Sequence, residues 1–237
     1  MRDINRFRGC LIGGAAGDAL GYAVEFLREE QIFSKYGENG ITEYSLRNGK
    51  AEISDDTQMT LFTANGLLLG TTRGMTRGIM GNYESYIQIM YKCWYRTQTE
   101  SYPINEDYLY SWLLNIPEFF SRRAPGMTCL SAIEHGAAGS THEPINNSKG
   151  CGGVMRVAPI GLYFCDKSIS YEKSDICFAF GNNACIESIV SLTASLIVAP
   201  FSTMRLMICT NAAAGIYPRS CPCVNAADSA PIISDFS

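Results

Sequence analysis

The chain has 237 residues, of which 46% are hydrophobic and 18% are charged, and its formal net charge is −4. This composition excludes a disordered chain, and the acidic balance gives no basic surface for nucleic acid or an anionic membrane. No apolar run is long enough to span a bilayer, and the first residues lack the apolar core of a signal peptide. We therefore expect a cytoplasmic protein without nucleic-acid or membrane partners.

The cysteines and histidines limit the kinds of site that the chain can build. Its ten cysteines contain no Cys-x-x-Cys pair, and the only histidines are His135 and His142. We expect free thiols rather than a disulfide framework or a zinc site. With only two histidines in the chain, a Ser/His/Asp catalytic triad is not favoured.

The first segment, 4–26, has apolar residues at helical spacing but is interrupted by glycines. Each glycine inside a helix costs about 1 kcal/mol relative to alanine, which indicates that another backbone packs closely. The segment fits neither Gly-x-Gly-x-x-Gly nor the lysine-bearing phosphate loop. The pattern predicts a closely packed, buried helix in which Asp18 must be hydrogen-bonded. The glycines are Gly9, Gly13, Gly14, Gly17 and Gly21.

An acidic pair, Asp55-Asp56, follows a long irregular connection, 27–53, that could cover a site. An apolar helical pattern follows the pair as far as Leu69, and either Ser54, which precedes the pair, or Asp55 is of the kind that caps a helix. Unpaired N–H groups at a helix start favour carboxylates, so one interpretation is a plain N-cap. Adjacent carboxylates repel each other unless a cation or strong donors lie between them, so the other interpretation is a cation site.

The pattern after this helix is also helical. Strand signals are scarce, which favours an all-α class over a two-domain α/β nucleotide-binding fold. We predict a glycine-rich linker over 71–81, a helix over 82–95 with an aromatic core face, a helix over 108–120 interrupted or ended by Pro117, and a short helix over 128–138.

A glycine-rich stretch lies at 146–161, with the sequence Asn-Asn-Ser-Lys-Gly-Cys-Gly-Gly-Val-Met-Arg-Val-Ala-Pro-Ile-Gly. Its glycines expose backbone N–H groups before an apolar run that can form a helix, which is a backbone nest suited to a phosphate. Lys149 and Arg156 add positive charge. The alternative is a flexible loop that ends in a buried helix.

Three stretches occur in an order and spacing that resemble the ADP-ribosylglycohydrolase family, which includes dinitrogenase reductase-activating glycohydrolase. They are Gly-Cys-Leu-Ile-Gly-Gly-Ala-Ala-Gly-Asp-Ala-Leu-Gly at 9–21, Ser-Asp-Asp-Thr-Gln-Met at 54–59, and the glycine-rich residues 148–161. The resemblance covers roughly residues 4 to 165.

This resemblance implies an all-α, compact orthogonal helical bundle with a binuclear Mg²⁺ or Mn²⁺ centre in a cleft. It also implies hydrolysis of the N- or O-glycosidic bond of an ADP-ribosylated protein or small molecule, with release of ADP-ribose. Residues carried over from the family are metal ligands at Ser54, Asp55 and Asp56, catalytic carboxylates at Glu25, Asp55 and Asp56, and an ADP-ribose loop at Gly150, Cys151, Gly152, Gly153, Met155 and Arg156.

The C-terminal part departs from the family pattern. The family's second acidic motif, Asp-x-Asp-Thr, is missing, because after residue 166 the aspartates are Asp175, Asp228 and Asp235. A Thr-His-Gly-His-like segment is missing as well. Only five of the 57 residues over 181–237 are charged, which is too few for ordinary amphipathic helices. We expect a family-like domain over 1–180, C-terminally incomplete, and a divergent tail produced by a reading-frame change or truncation.

These departures leave three functional hypotheses. The chain is a magnesium-dependent hydrolase, or a catalytically impaired relic that still binds ADP-ribose, or a misfolding fragment. Without the second acidic motif, two cations would meet too little negative charge, although one could be held weakly by Asp55 and Asp56.

Overall fold

The computed structural model describes residues 4–79, 81–139, 145–146 and 151–164. Within these ranges the α-helices are α1 (Ile4–Gly21), α2 (Glu29–Tyr36), α3 (Asp55–Arg77), α4 (Tyr83–Thr99), α5 (Met127–Glu134) and α6 (Ala158–Phe164), and the strands are β1 (Leu46–Arg47) and β2 (Lys50–Ala51). The prediction of an all-α class is confirmed over this part of the chain. None of the described helices is long and apolar enough to cross a membrane.

The longest described helix, α3, contacts α1, α4, α6 and a 3₁₀ helix formed by Cys151–Arg156. At its start, the Ser54 hydroxyl accepts a hydrogen bond from the Asp56 N–H at 3.2 Å, so an N-cap is confirmed and Ser54, of the two candidates, provides it. At its end, Gly78 adopts the left-handed conformation with φ 65° and donates its N–H to the Gly74 carbonyl.

Two glycines of α3 are required because α4 approaches closely. A Cβ atom on Gly66 would lie 2.8 Å from the Ile87 Cα, and one on Gly70 would lie 2.7 Å from the Tyr86 ring. Glycine at these two positions therefore allows α3 and α4 to pack closely. The predicted linker over 71–81 is wrong, since the helix continues to Arg77.

The hydrophobic core lies largely between α3 and α4. The predicted core face of α4 is confirmed, since Tyr86, Met90 and Trp94 are 6%, 0% and 0% exposed. This helix runs beyond the predicted 82–95 to Thr99. Other fully buried side chains are Met59, Phe62, Leu67, Ile87, Tyr91, Leu113, Leu114 and Ile160.

The connection from α4 to α5 passes the start of α3. It contains 3₁₀ helices over Trp112–Asn115 and Pro117–Phe119 in place of the single helix predicted over 108–120. Proline opens the second one because it has no N–H and fits only the first helical turn. The short helix predicted over 128–138 ends early, since Gly136 and Ala137 have φ of 104° and 58°.

Helix α1 is more exposed than its glycine content indicated. Ala19 is its one buried residue in the described structure, and Ile4 and Ile12 are 62% and 66% exposed. A Cβ atom on any of its five glycines would meet nothing within 4 Å. The prediction of a closely packed, buried helix is wrong for the described residues, because contacts with α3 and α6 cover little of its surface.

The connection over 27–53 is more regular than expected. It holds α2 and a hairpin in which Leu46 pairs with Ala51 and Arg47 with Lys50. The turn is Asn48-Gly49, whose φ values of 51° and 74° are those that a two-residue hairpin turn requires. An Asn-Gly pair is a strong hairpin signal that the interpretation as an irregular loop overlooked.

Candidate active site at the start of the central helix

Asp18 of α1 holds the start of α3 through one carboxylate oxygen. Its Oδ2 accepts hydrogen bonds from the Ser54 N–H at 2.9 Å, the Thr57 N–H at 3.2 Å and the Thr57 hydroxyl. The backbone donors of a helix start have no partner within the helix itself. The prediction that Asp18 is hydrogen-bonded is confirmed, although the residue is half-buried rather than buried.

Asp55 lies between the starts of α3 and α5. It is 5% exposed, its N–H donates to the Arg123 carbonyl at 3.0 Å, and its Oδ2 accepts from the Gly126 N–H at 3.2 Å. Burial raises the pKa of this carboxyl to about 6, and the Gly126 bond opposes the rise. The nearby Glu25 and Asp18 carboxylates add to the rise in pKa.

Asp56 shares the same cluster of carboxylates. The residue is exposed to solvent, yet enough protein surrounds its carboxyl that desolvation is the largest cause raising its pKa to about 7. Asp55, Asp18 and Glu25 raise this pKa further by repulsion. Glu25 itself has a raised pKa, first from burial and then from Asp18. A carboxylate that is both solvent-accessible and surrounded by protein is typical of a cleft.

The negative charge of this cluster is poorly balanced within the described ranges. The Asp56 carboxylate has no hydrogen-bond or ion-pair partner there. Arg123 lies close to the helix start, but its Nη1 donates to the Ile53 carbonyl at 3.3 Å and its Nη2 lies 3.7 Å from Glu52. Its charge is therefore shared with a carboxylate outside the cluster, and a bound cation would relieve the repulsion.

The side chains of Ser54, Asp55 and Asp56 are suited to Mg²⁺ in kind, because hard cations prefer carboxylate and hydroxyl oxygens. They are few in number. Across the residues that the structure describes, no group of three or more His, Cys, Asp or Glu could hold a metal ion. Mg²⁺ commonly takes one or two carboxylates and completes its shell with water and substrate. A single cation fits this chemistry, whereas the binuclear centre stays a prediction.

The glycine-rich segment lies beside α3 next to these carboxylates. The Thr60 hydroxyl donates to the Met155 carbonyl at 2.6 Å, and Thr60 follows Asp56 by four residues. These two residues share a face of the helix, about 6 Å apart along its axis. A Cβ atom on Gly152 would lie 2.9 Å from the Cys129 Sγ, so glycine lets the segment approach α5.

Arg156 is buried beneath the glycine-rich segment. It is 1% exposed, and its Nη1 lies 3.3 Å from the Met59 Sδ and 3.8 Å from the Cys129 Sγ. Its guanidinium also lies 4.9 Å from the centre of the Tyr91 ring. In this placement Arg156 anchors the segment to the core. Its predicted contact with substrate finds no support here and stays a prediction.

A comparison with protein-family models settles the lineage. The model described as ADP-ribosylglycohydrolase matches residues 1–202, which is most of the chain. The chain belongs to the ADP-ribosylglycohydrolase family. Searches of the curated proteins and of the solved structures found no match.

Family membership confirms the predicted lineage and agrees with the helical fold. The family match extends beyond residue 165, where the resemblance described above ends, and beyond the predicted domain boundary at 180. That boundary, and the origin of the tail, stay predictions, because residues 165–237 lie outside the described structure. Gly150 of the predicted ADP-ribose loop also lies outside it, while Cys151, Gly152, Gly153 and Met155 fall in the 3₁₀ helix.

Several contacts of this site were missed by sequence reasoning. Arg123 and Gly126 meet Asp55 from about seventy positions away, and Thr60 meets Met155 from a greater distance. Such pairings leave no trace in local periodicity. Pro125-Gly126 directly precedes α5, but nothing in the sequence indicates which carboxylate the Gly126 N–H would meet.

Proposed function

We propose that the protein is a Mg²⁺- or Mn²⁺-dependent hydrolase that cleaves the N- or O-glycosidic bond of an ADP-ribosylated protein or small molecule. The observation that supports this most directly is the Thr60–Met155 hydrogen bond, because it attaches the glycine-rich motif to α3 at the residue that directly follows the acidic motif. Carboxylates for a cation and a glycine-rich backbone for a diphosphate then lie about one helical turn apart.

The roles of the residues follow from their charges and exposure. Ser54, Asp55 and Asp56 would hold the cation, which when bound supplies positive charge that orients the ribose hydroxyls and polarises the anomeric bond. Glu25 stands beside this group with a raised pKa and without being one of the predicted ligands. A carboxylate with such a pKa suits the acceptance of a proton from the attacking water.

The reaction balances with these groups. The oxygen of a water molecule forms a bond to the anomeric carbon, while the bond from that carbon to the nitrogen or oxygen of the leaving group breaks. Glu25 accepts one proton of the water and returns it to the leaving nitrogen or oxygen. The products are ADP-ribose and the unmodified side chain or small molecule.

A second candidate function is ADP-ribose binding without turnover. It is favoured by the small number of metal ligands in the described ranges and by the absence of Asp-x-Asp-Thr from the sequence after residue 166. Such a chain would keep the glycine-rich segment and its attachment to α3, but it would hold a cation too weakly for catalysis.

An assay of ADP-ribose release separates these functions. Peptides carrying ADP-ribosyl-arginine or ADP-ribosyl-serine are incubated with the protein in EDTA and in increasing Mg²⁺ or Mn²⁺. The hydrolase predicts metal-dependent release that is lost in Asp56→Asn and kept in Glu30→Gln, which removes an exposed first-turn carboxylate of α2. Equal release of ADP-ribose in EDTA and in Mg²⁺ or Mn²⁺ would contradict metal dependence. No release from either peptide would favour a protein that binds ADP-ribose without turnover.

A further inference from the structure

The segment over 121–126 runs beside the first turn of α3 and makes repeated contacts with it. The Ser121 carbonyl accepts from the Gln58 Nε2 at 3.3 Å, and the Arg123 carbonyl accepts from the Asp55 N–H at 3.0 Å. The Gly126 N–H donates to the Asp55 Oδ2 at 3.2 Å. Asp55 is therefore held by this segment at both its backbone and its side chain.

The Arg123 side chain reaches the other side of the same turn. Its Nη1 donates to the Ile53 carbonyl at 3.3 Å, and its Nη2 lies 3.7 Å from the Glu52 Oε1. The arginine side chain is 17% exposed, so these contacts are partly shielded from water. Arg123 thus contacts the chain on both sides of Ser54. Its guanidinium binds the Ile53 carbonyl, and its own carbonyl binds the Asp55 N–H.

A strained backbone accompanies these contacts. Ala124 has φ 54°, in the left-handed region that residues other than glycine rarely occupy. Such a conformation persists where the surrounding contacts determine it. Ala124 lies between the Arg123 carbonyl and the Gly126 N–H, and its conformation lets both groups reach Asp55.

We propose that Arg123 is a positioning residue, which fixes the backbone over 53–55 so that Ser54, Asp55 and Asp56 stand ready for a cation. This proposal rests on the function proposed above. Arginine suits the task because its planar guanidinium offers donors to two acceptors in a fixed fork, whereas a lysine ammonium is a point charge on a flexible stem. Cation ligands held in advance lose less freedom when the cation binds.

The test compares Arg123→Ala and Arg123→Lys with Arg122→Ala, which removes the neighbouring exposed arginine. Mn²⁺ affinity is measured by calorimetry, and amide hydrogen exchange over 52–57 is measured in EDTA. We expect Arg123→Ala to weaken Mn²⁺ binding about tenfold or more, as the loss of groups that support metal ligands commonly does. We also expect exchange over 52–57 to accelerate about tenfold relative to exchange in α4. Arg123→Lys should give smaller changes in both, and Arg122→Ala none.

Slow amide hydrogen exchange in α4 shows that a variant remains folded. If Arg123→Ala unfolds, the comparison is made with Arg123→Lys instead. Wild-type Mn²⁺ affinity and slow exchange over 52–57 in both Arg123 variants would overturn the positioning role. If the wild-type protein itself binds no Mn²⁺, the proposed function fails instead. The exchange comparison with Arg122→Ala then still decides whether Arg123 holds this turn.

Discussion

Asp18 shows how one residue can connect two sequence motifs. Its Oδ2 accepts three donors from Ser54 and Thr57, which leaves the Ser54 hydroxyl for the Asp56 N–H. The Gly-Asp-Ala motif of α1 thereby fixes the start of α3. The Asp56 carboxylate can then stay exposed to solvent, since it is not needed to satisfy these N–H groups.

Replacing Asp18 tests this connection. Asp18→Ala leaves the donors of Ser54 and Thr57 without their acceptor, and we expect a loss of about 2–4 kcal/mol in the free energy of unfolding. Asp18→Asn keeps an acceptor oxygen at the same place and should lose clearly less. Urea unfolding of both variants in EDTA measures the difference. Equal stability of the wild-type protein and Asp18→Ala would show that the helix start does not depend on this carboxylate.

The raised pKa of Asp56 predicts how the stability of the metal-free protein depends on pH. Its value of about 7 in the folded protein lies above the ordinary 3.8, so folding takes up a proton. The stabilisation is present in full below the lower value and is lost as the pH rises through the higher one. Asp55, with a pKa of about 6, acts in the same direction.

We therefore expect Asp56→Asn to be more stable than the wild-type protein at pH 8 in EDTA. The gain should be about 1 kcal/mol, because water screens this exposed carboxylate, and it should shrink at pH 5. Urea unfolding at the two pH values gives the comparison, with Glu30→Gln as the matched control. A variant less stable than the wild-type protein at pH 8 would mean that the Asp56 carboxylate is favourably paired.

At the scale of the elements, glycine has two different roles in neighbouring helices. Gly66 of α3 lies against the Ile87 backbone, whereas Gly14 of α1 has nothing within 4 Å of an added Cβ atom. The two residues look alike in the sequence. Only the packing of α4 on α3 distinguishes them.

Alanine at these two positions should change stability in opposite directions. Gly66→Ala gains helix propensity, yet the clash with the Ile87 backbone should leave a net loss of about 1–2 kcal/mol. Gly14→Ala should gain up to about 1 kcal/mol from propensity alone. Thermal unfolding of both variants checks this. A destabilised Gly14→Ala would reveal a close neighbour of α1 beyond the described residues.

The contact between α3 and the glycine-rich segment also gives a prediction. Thr60→Val removes the hydroxyl that binds the Met155 carbonyl, and we expect ADP-ribose to bind several-fold more weakly because the segment is less firmly held. Thr60→Ser keeps the hydroxyl and should bind as the wild-type protein does. Calorimetric titration with ADP-ribose makes the comparison. Equal affinity of the two variants would place the nucleotide elsewhere.

Local features of the fold were predictable, whereas long-range ones were not. Ser54 as N-cap and the buried face of α4 follow from residues a few positions apart, so sequence patterns reveal them. The end of α3 at Arg77 and the exposure of α1 depend on which helices meet. The same limit applies to the site, since Asp55 was found from its own motif but Arg123 and Gly126 were not.

At the scale of the whole molecule, the site joins parts of the chain that are far apart in sequence. The carboxylates of α1 and α3, the segment over 121–126 and the glycine-rich segment meet around one helix start. The family match to residue 202 includes all of these parts, while the low-charge residues after it lie outside the match. The described residues thus contain the acidic cluster and part of the glycine-rich segment, on which the proposed function rests.

The central claim is that a cation at Asp55 and Asp56 and ADP-ribose at the glycine-rich segment occupy one site. Calorimetric titration with ADP-ribose, in EDTA and in saturating Mg²⁺, tests it most directly. We predict that Mg²⁺ tightens binding at least about tenfold in the wild-type protein, because a bound cation and a bound diphosphate attract each other, and has no such effect in Asp56→Asn. The same affinity with and without Mg²⁺ in the wild-type protein would contradict the claim.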